Sequence, residues 1–302
     1  MAVDPRLFST IALGRVHLRN RIVYESLPAD DLRTDGHATQ GLCSFYAERA
    51  QQGTALVVTA PVRFTKPDDA ALPHIGLYSD THTSSLGVCI QATHIAGAAA
   101  LVMLDEPLPP APTPVQLRHA THGLMRAASR AYEAGADGIM LSANDDGLLH
   151  YLCTPPFTDG RFTQAVTIVE MHRKQLGRGF LLGVRLCVDE TQPGGLSLHD
   201  ARVVARRLSS AGVGLIEIQV SHSTATPVAH FPGWCVPIAA AVKAVVDVPI
   251  MVGGLLDDVL IADSVLQDGA ADLICLGERL HTDPTWPARA RATLAKASSL
   301  PL

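Results

Sequence analysis

Residues 134–155 read AGADGIMLSANDDGLLHYLCTP, and this stretch decides the fold. Gly135 follows a helix-length amphipathic segment, at the point where a glycine can end a helix in the left-handed conformation without a Cβ penalty. Gly138–Ser142 is a short apolar run without alternation, as expected of a parallel strand covered on both faces. Asn144 to Gly147 then forms a polar turn that opens a loop. Helix end, buried strand and polar loop thus occupy one line of sequence.

The same module recurs along the chain. Strands are expected at Ile22–Ser26, Ala55–Ala60, Ala99–Leu104, Gly138–Ser142, Leu181–Cys187, Leu215–Val220, Pro249–Val252 and Leu273–Leu276. Helices are expected at Gln40–Gln52, Thr81–Ala96, Val115–Ala134, Phe162–Leu176, Leu198–Ala211, Val236–Val246, Leu256–Asp268 and Pro287–Ala297. Gly212 and Gly269 repeat the role of Gly135. Eight strand–helix units in this order predict an α/β fold, a (β/α)8 TIM barrel in a single domain over residues 1–302. A doubly wound open sheet is the alternative, and no Gly-x-Gly-x-x-Gly follows the first strand to support it. Pro5–Arg19 is expected to form a short N-terminal hairpin cap under the barrel floor. The proline-rich loop Leu104–Pro114 should lie on the functional face.

At 47% hydrophobic and 18% charged residues, the 302-residue chain has the composition of a globular protein with a large core. A formal charge of −5 argues against nucleic acid or an anionic membrane as partner, because both require clustered Lys and Arg. Six scattered cysteines without a Cys-x-x-Cys predict reduced buried thiols and a cytoplasmic protein. The first residues lack the basic and apolar regions of a signal peptide, and no apolar run reaches the ~18 residues of a membrane span.

Several motifs resemble the old yellow enzyme family, the FMN-dependent NAD(P)H:flavin oxidoreductases. They are LFSTIALGRVHLRNRIV (7–23), FYAERA (45–50), LLHYLCTP (148–155), Arg185 in the fifth strand, Gly253-Gly254 after the seventh, and Gly277 ahead of Asp283-Pro284. The resemblance covers nearly the whole chain and implies a TIM barrel, FMN and a small unsaturated carbonyl substrate; it also admits a homo-oligomer. It further implies FMN contacts at Arg185, Gly253, Gly254, Gly277 and Arg279. The chain departs from the pattern at the sites of chemistry. Ser142, Asp145 and Gly147 stand where the family has a His, a His or Asn, and a Tyr; Pro28 stands at the flavin-tuning position and Met103 near the usual glutamine. Glu278 follows Gly277 where the family has Arg, with Arg279 one place late.

These departures change the chemistry. Ser142 offers one weaker donor, and an ionised Asp145 is acceptor-only and would repel an enolate unless burial keeps it protonated. Glu278 opposes a phosphate, although backbone N–H groups at Gly254 and Gly277 need no side chain to bind one. The ends of barrel strands carry chemistry in this fold, so the candidate catalytic set is Tyr24, Glu25, Asp105, Ser142, Asp145, Arg185 and His222, with Glu106 beside it. Arg185 either meets a flavin or forms an interior salt bridge with Glu25 or Asp105. His119 and His122 share a helix face without an acidic or cysteine partner, so no metal site is expected. Three readings stay open. The first is a diverged enzyme without bound cofactor doing acid/base chemistry (elimination, isomerisation or cyclisation). The second is an FMN-dependent reductase with an altered donor set, and the third is a non-catalytic ligand-binding barrel.

Overall fold

A computed structural model describes residues 5–26, 31–67, 69, 71–143, 147–188, 195–220 and 231–299. A 3-10 turn at Arg6–Phe8 leads into an antiparallel hairpin of β1 (Ile11–Leu13) and β2 (Val16–Leu18). The chain then alternates β3 (Ile22–Glu25), α1 (Gln40–Gln51), β4 (Leu56–Val58), the short strands β5 (Val62–Arg63) and β6 (Ile75–Gly76), α2 (Asp80–Ile95), β7 (Ala99–Leu104), α3 (Pro114–Glu133) and β8 (Gly138–Ala143). It continues through α4 (Leu148–Cys153), α5 (Arg161–Leu176), β9 (Leu181–Val188), α6 (Leu198–Ala211), β10 (Leu215–Val220), α7 (Val236–Lys243), β11 (Ile250–Val252), α8 (Val259–Gln267), β12 (Leu273–Cys275), α9 (Gly277–Thr282) and α10 (Trp286–Ser299).

Parallel pairing runs β3–β4–β7–β8–β9–β10–β11–β12 and back to β3, which closes the expected barrel and excludes the open sheet. Helices cover every strand from outside, so strand residues of both parities are buried and the strands read as unbroken apolar runs. Inward positions such as Val23, Leu56, Met103, Met140, Leu215 and Met251 form one cluster, and Leu13, Val16 and Leu18 of the hairpin join it. The hairpin thereby plugs the floor as expected; each fully buried leucine there contributes about 1.5–3 kcal/mol. Outward positions pack against the helices in a second, larger cluster that includes Tyr24, Tyr46, Leu124 and Val184. Local signals start several helices: Thr39 accepts from Leu42 N at 3.0 Å, and Thr113 and Gln116 form a reciprocal capping box.

One expectation is corrected. Cys43 on α1 and Cys89 on α2 are joined by a disulfide, with Cα atoms 4.1 Å apart, so not all six cysteines are free thiols. The 46-residue separation hid the pair, because only the barrel winding lays the two helices side by side. Cys153, Cys187, Cys235 and Cys275 remain thiols.

Strand spacing in the ring depends on Gly138. It pairs with Leu101 on one side and Leu181 on the other, and a Cβ there would fall on the Leu181 carbonyl oxygen and 2.7 Å from Leu181 Cβ. Gly138→Ala is expected to lower stability by about 1–3 kcal/mol, the usual range for overpacking, in urea unfolding. An unchanged midpoint would contradict the β8–β9 register.

Candidate active site at the barrel mouth

Parity decides which strand ends reach the interior. Met140 faces inward, so Ser142 does too, and the register sets Ser142 beside Arg185 and Arg185 beside Glu217. Arg185 is 4% exposed and Glu217 1%, so this ion pair is among the most buried charges in the molecule. Arg185 Nε donates to Glu217 Oε2 at 2.8 Å, and its Nη2 pairs with Glu25 Oε1. The Cys275 thiol donates to Glu25 Oε2 at 3.5 Å. The guanidinium is thus held between carboxylates from β3 and β10, with a thiol from β12 alongside. Burial pushes Glu217 well above the ordinary carboxylate value despite Arg185. Burial also raises Cys275, with Glu25 and Glu217 adding to the effect, so the thiol stays protonated.

Above this floor lies a cavity of about 360 Å³. Its walls are the ends of β10, β11 and β12, with Glu25, Glu217, Trp234, Cys235, Gly253, Gly254, Gly277, Glu278 and Arg279 among the lining. Gly254 has φ +96°, and a Cβ there would sit 3.1 Å from Cys235 Sγ and 3.1 Å from Trp234 Nε1. Only glycine keeps that wall bare, and its carbonyl accepts from Gly233 N at 2.8 Å. Arg279 donates to Asp257 Oδ2 through Nε at 3.0 Å and Nη2 at 2.8 Å. Its side chain is 38% exposed, so the pair sits on the solvent rim rather than in the core.

The structure therefore brings together Glu25, Arg185, Gly253, Gly254, Gly277 and Arg279 from the expected set, with Ser142 beside Arg185. Of the two alternatives for Arg185, the interior salt bridge with Glu25 is present. Met103 lies inward, in the apolar layer. Tyr24 is corrected: it is fully buried on the opposite face of β3, its hydroxyl 3.3 Å from His281 Nδ1 and its ring against Phe45. Burial raises its phenol to about 12. Its neighbour Glu25 points inward, as strand alternation requires. Asp105 does not line the cavity, and Glu106 is a structural clamp that takes hydrogen bonds from Arg63, Phe64 N and Thr65 N. Asp145, His222 and Pro28 lie outside the described residues. Glu217 was not anticipated from sequence. The signal was available as the one charged residue of β10, at inward parity with Leu215 and Gln219.

A family model described as the NADH:flavin oxidoreductase / NADH oxidase family matches residues 6–110. The chain is 26% identical to an NADPH dehydrogenase of Halalkalibacterium halodurans over 99% of its own length and 98% of the relative's. The chain is thus similar to that family over residues 6–110. It is also 24% identical to an NADH oxidase of Thermoanaerobacter brockii, over 95% of this chain but only 51% of that protein, so it spans about half of that relative. In structure it superposes on the old yellow enzyme homologue of Zymomonas mobilis with a TM-score of 0.78 at 18% identity, covering 96% of this chain and 93% of the other. A 2-naphthoyl-CoA reductase gives a TM-score of 0.86 at 17% identity, covering 95% of this chain and 52% of that one.

The floor predicts a specific pH dependence. Because Glu217 binds its proton more tightly folded than unfolded, its contribution is fully present below about pH 4.3, the unfolded carboxyl value. It is lost as pH rises from there toward the raised folded value. Glu217→Gln removes this term, so wild type should lose about 1.4 kcal/mol per pH unit relative to the variant within that window. Urea unfolding of both proteins at pH 4, 5, 6 and 7 measures it; parallel curves would show that Glu217 ionises normally.

Proposed function

We propose that the protein is an FMN-dependent NAD(P)H oxidoreductase acting on a small unsaturated carbonyl compound with an altered donor set. The observation that supports it most is the bare-backbone wall at Gly254, which lines the same cavity as Arg279 at the ends of β11 and β12. Gly253, Gly254, Gly277 and Arg279 fit the phosphate of FMN: backbone amides and one guanidinium suit an anion, while Glu278 and Asp257 oppose it. When bound, FMN supplies a two-electron carrier between a nicotinamide and the substrate. The protein's own residues then orient and shield: Ile218 and Trp234 line the cavity, and Ser142 stands in register beside Arg185. Asp145 and His222, outside the described residues, belong to the same proposal by their places in sequence after β8 and β10.

The donor change sets the expected rate. Loss of one preorganised donor to a developing oxyanion costs about 2.7–4 kcal/mol by analogy with acyl-transfer enzymes. Reduction of 2-cyclohexenone by NADPH is therefore expected about 10²- to 10³-fold below that of an enzyme with a full donor pair. Fluorescence titration with FMN tests the cofactor itself. Saturable binding, weakened at least ~10-fold by Gly254→Val, is the expected result, since a free-energy change of about 1.4 kcal/mol is tenfold. A protein that neither purifies with FMN nor binds it on titration overturns the reading.

One observation favours a second reading. Arg185, the cation that the family resemblance assigns to the flavin ring, is already engaged by Glu25 and Glu217. A site with its cation so committed suits acid/base chemistry on the same class of compound, as elimination, isomerisation or cyclisation without bound flavin. Turnover that needs no nicotinamide distinguishes it.

A further inference from the structure

The floor holds more negative charge than its cation balances. Two carboxylates meet one guanidinium, and oxygen atoms of Glu25 and Glu217 lie within 4.8 Å of each other and of Cys275 Sγ. Every element packed around them matters to the balance. Arg185 comes from β9, Cys275 from β12 and Cys235 from the N-cap of α7, while Gln219 Nε2 lies 3.5 Å from Glu217 Oε1. Among the described residues, the cavity lining adds Asp257, Glu278 and Arg279 to the ionisable groups, but no lysine or histidine. Like charges this close in a low dielectric are not both ionised when one cation serves them; a shared proton removes the conflict. The upward displacement of Glu217 by burial agrees with this.

The two carboxyls are not equivalent. The Glu25 side chain is 13% exposed toward the cavity, and that of Glu217 is 1% exposed beneath it. We propose that Glu25 and Glu217 hold one proton between them over Arg185, and that Glu25 exchanges it with carbon of a carbonyl compound seated in the cavity. In the forward step the Glu25 O–H bond breaks and the electron pair of an enolate forms the new C–H bond. The resulting carboxylate stays paired with Arg185, and solvent restores the proton. The reverse step takes a proton from carbon beside the carbonyl and leaves an enolate. Where net reduction occurs, a reduced nicotinamide supplies the two electrons. Glu25 is the catalytic residue; Glu217 and Arg185 are positioning residues that set its proton occupancy. The inference rests on the mouth being the substrate site, as the functional reading holds, and not on flavin being bound.

Infrared difference spectroscopy of the whole protein across pH 5 to 9 tests it. At pH 7 wild type should show the band of one protonated carboxyl, and Glu25→Gln and Glu217→Gln should each lose it, because the remaining carboxylate then pairs alone with Arg185. No band in wild type overturns the inference without recourse to any variant. So does a band that survives Glu25→Gln. In D₂O without nicotinamide, proton NMR should show the protein accelerating exchange of the hydrogens beside the carbonyl of 2-cyclohexenone. Glu25→Gln should slow that exchange about 100-fold or more, the usual scale for a general acid/base. Glu217→Gln should instead shift its pH profile. Exchange no faster than in buffer overturns the role of Glu25. FMN binding without the shared-proton band sinks this inference alone, and the band without FMN binding sinks the flavin reading alone.

Discussion

A guanidinium held between two carboxylates inside a closed barrel is the constraint on which the mouth depends. Removing Arg185 would leave buried carboxylate charge uncompensated, which costs about 3–5 kcal/mol in comparable cases. The position of Arg185 is therefore tied to Glu217 beside it in register and to Glu25 across the barrel. The apolar layer beneath, closed by Leu13, Val16 and Leu18 of the hairpin, keeps these charges out of water from below. Among the described residues, Glu25 and Glu217 both line the cavity above that layer.

Rim and floor differ in what they ask of side chains. At the rim, Gly254 works because it has none, and the wall it leaves depends on backbone conformation more than on residue identity. Such a feature tolerates divergence around it, including a glutamate at position 278 and an ion-paired arginine at 279. At the floor, function depends on which groups ionise. Glu25, Glu217 and Cys275 bring two carboxyls and a thiol together there. The family resemblance and the acidic floor are therefore compatible: one describes the scaffold and the other the local electrostatics.

Much of the scaffold was legible in sequence because it rests on local signals. Unbroken apolar runs marked each of the barrel strands within a residue or two, and Gly135, Gly212 and Gly269 all adopt positive φ at the predicted helix ends. The site was legible only in part, because membership requires parity and winding. Tyr24 and Glu25 are adjacent in sequence, yet one packs on Phe45 and the other reaches Arg185. Glu217 was overlooked in a strand read as apolar, although a lone charge at inward parity requires a buried counter-ion. The Cys43–Cys89 bond joins helices laid side by side by the winding of successive strand–helix units, which residue spacing alone does not show.

On the proposed function, the rim binds an anionic cofactor while the floor keeps Arg185 between its two carboxylates. A crystal structure of the protein soaked with FMN measures both at once. It should show the phosphate against Gly254 and Arg279, with Arg185 still between Glu25 and Glu217. A mouth empty of FMN after soaking, or an Arg185 turned away from both carboxylates toward the flavin ring, would contradict it.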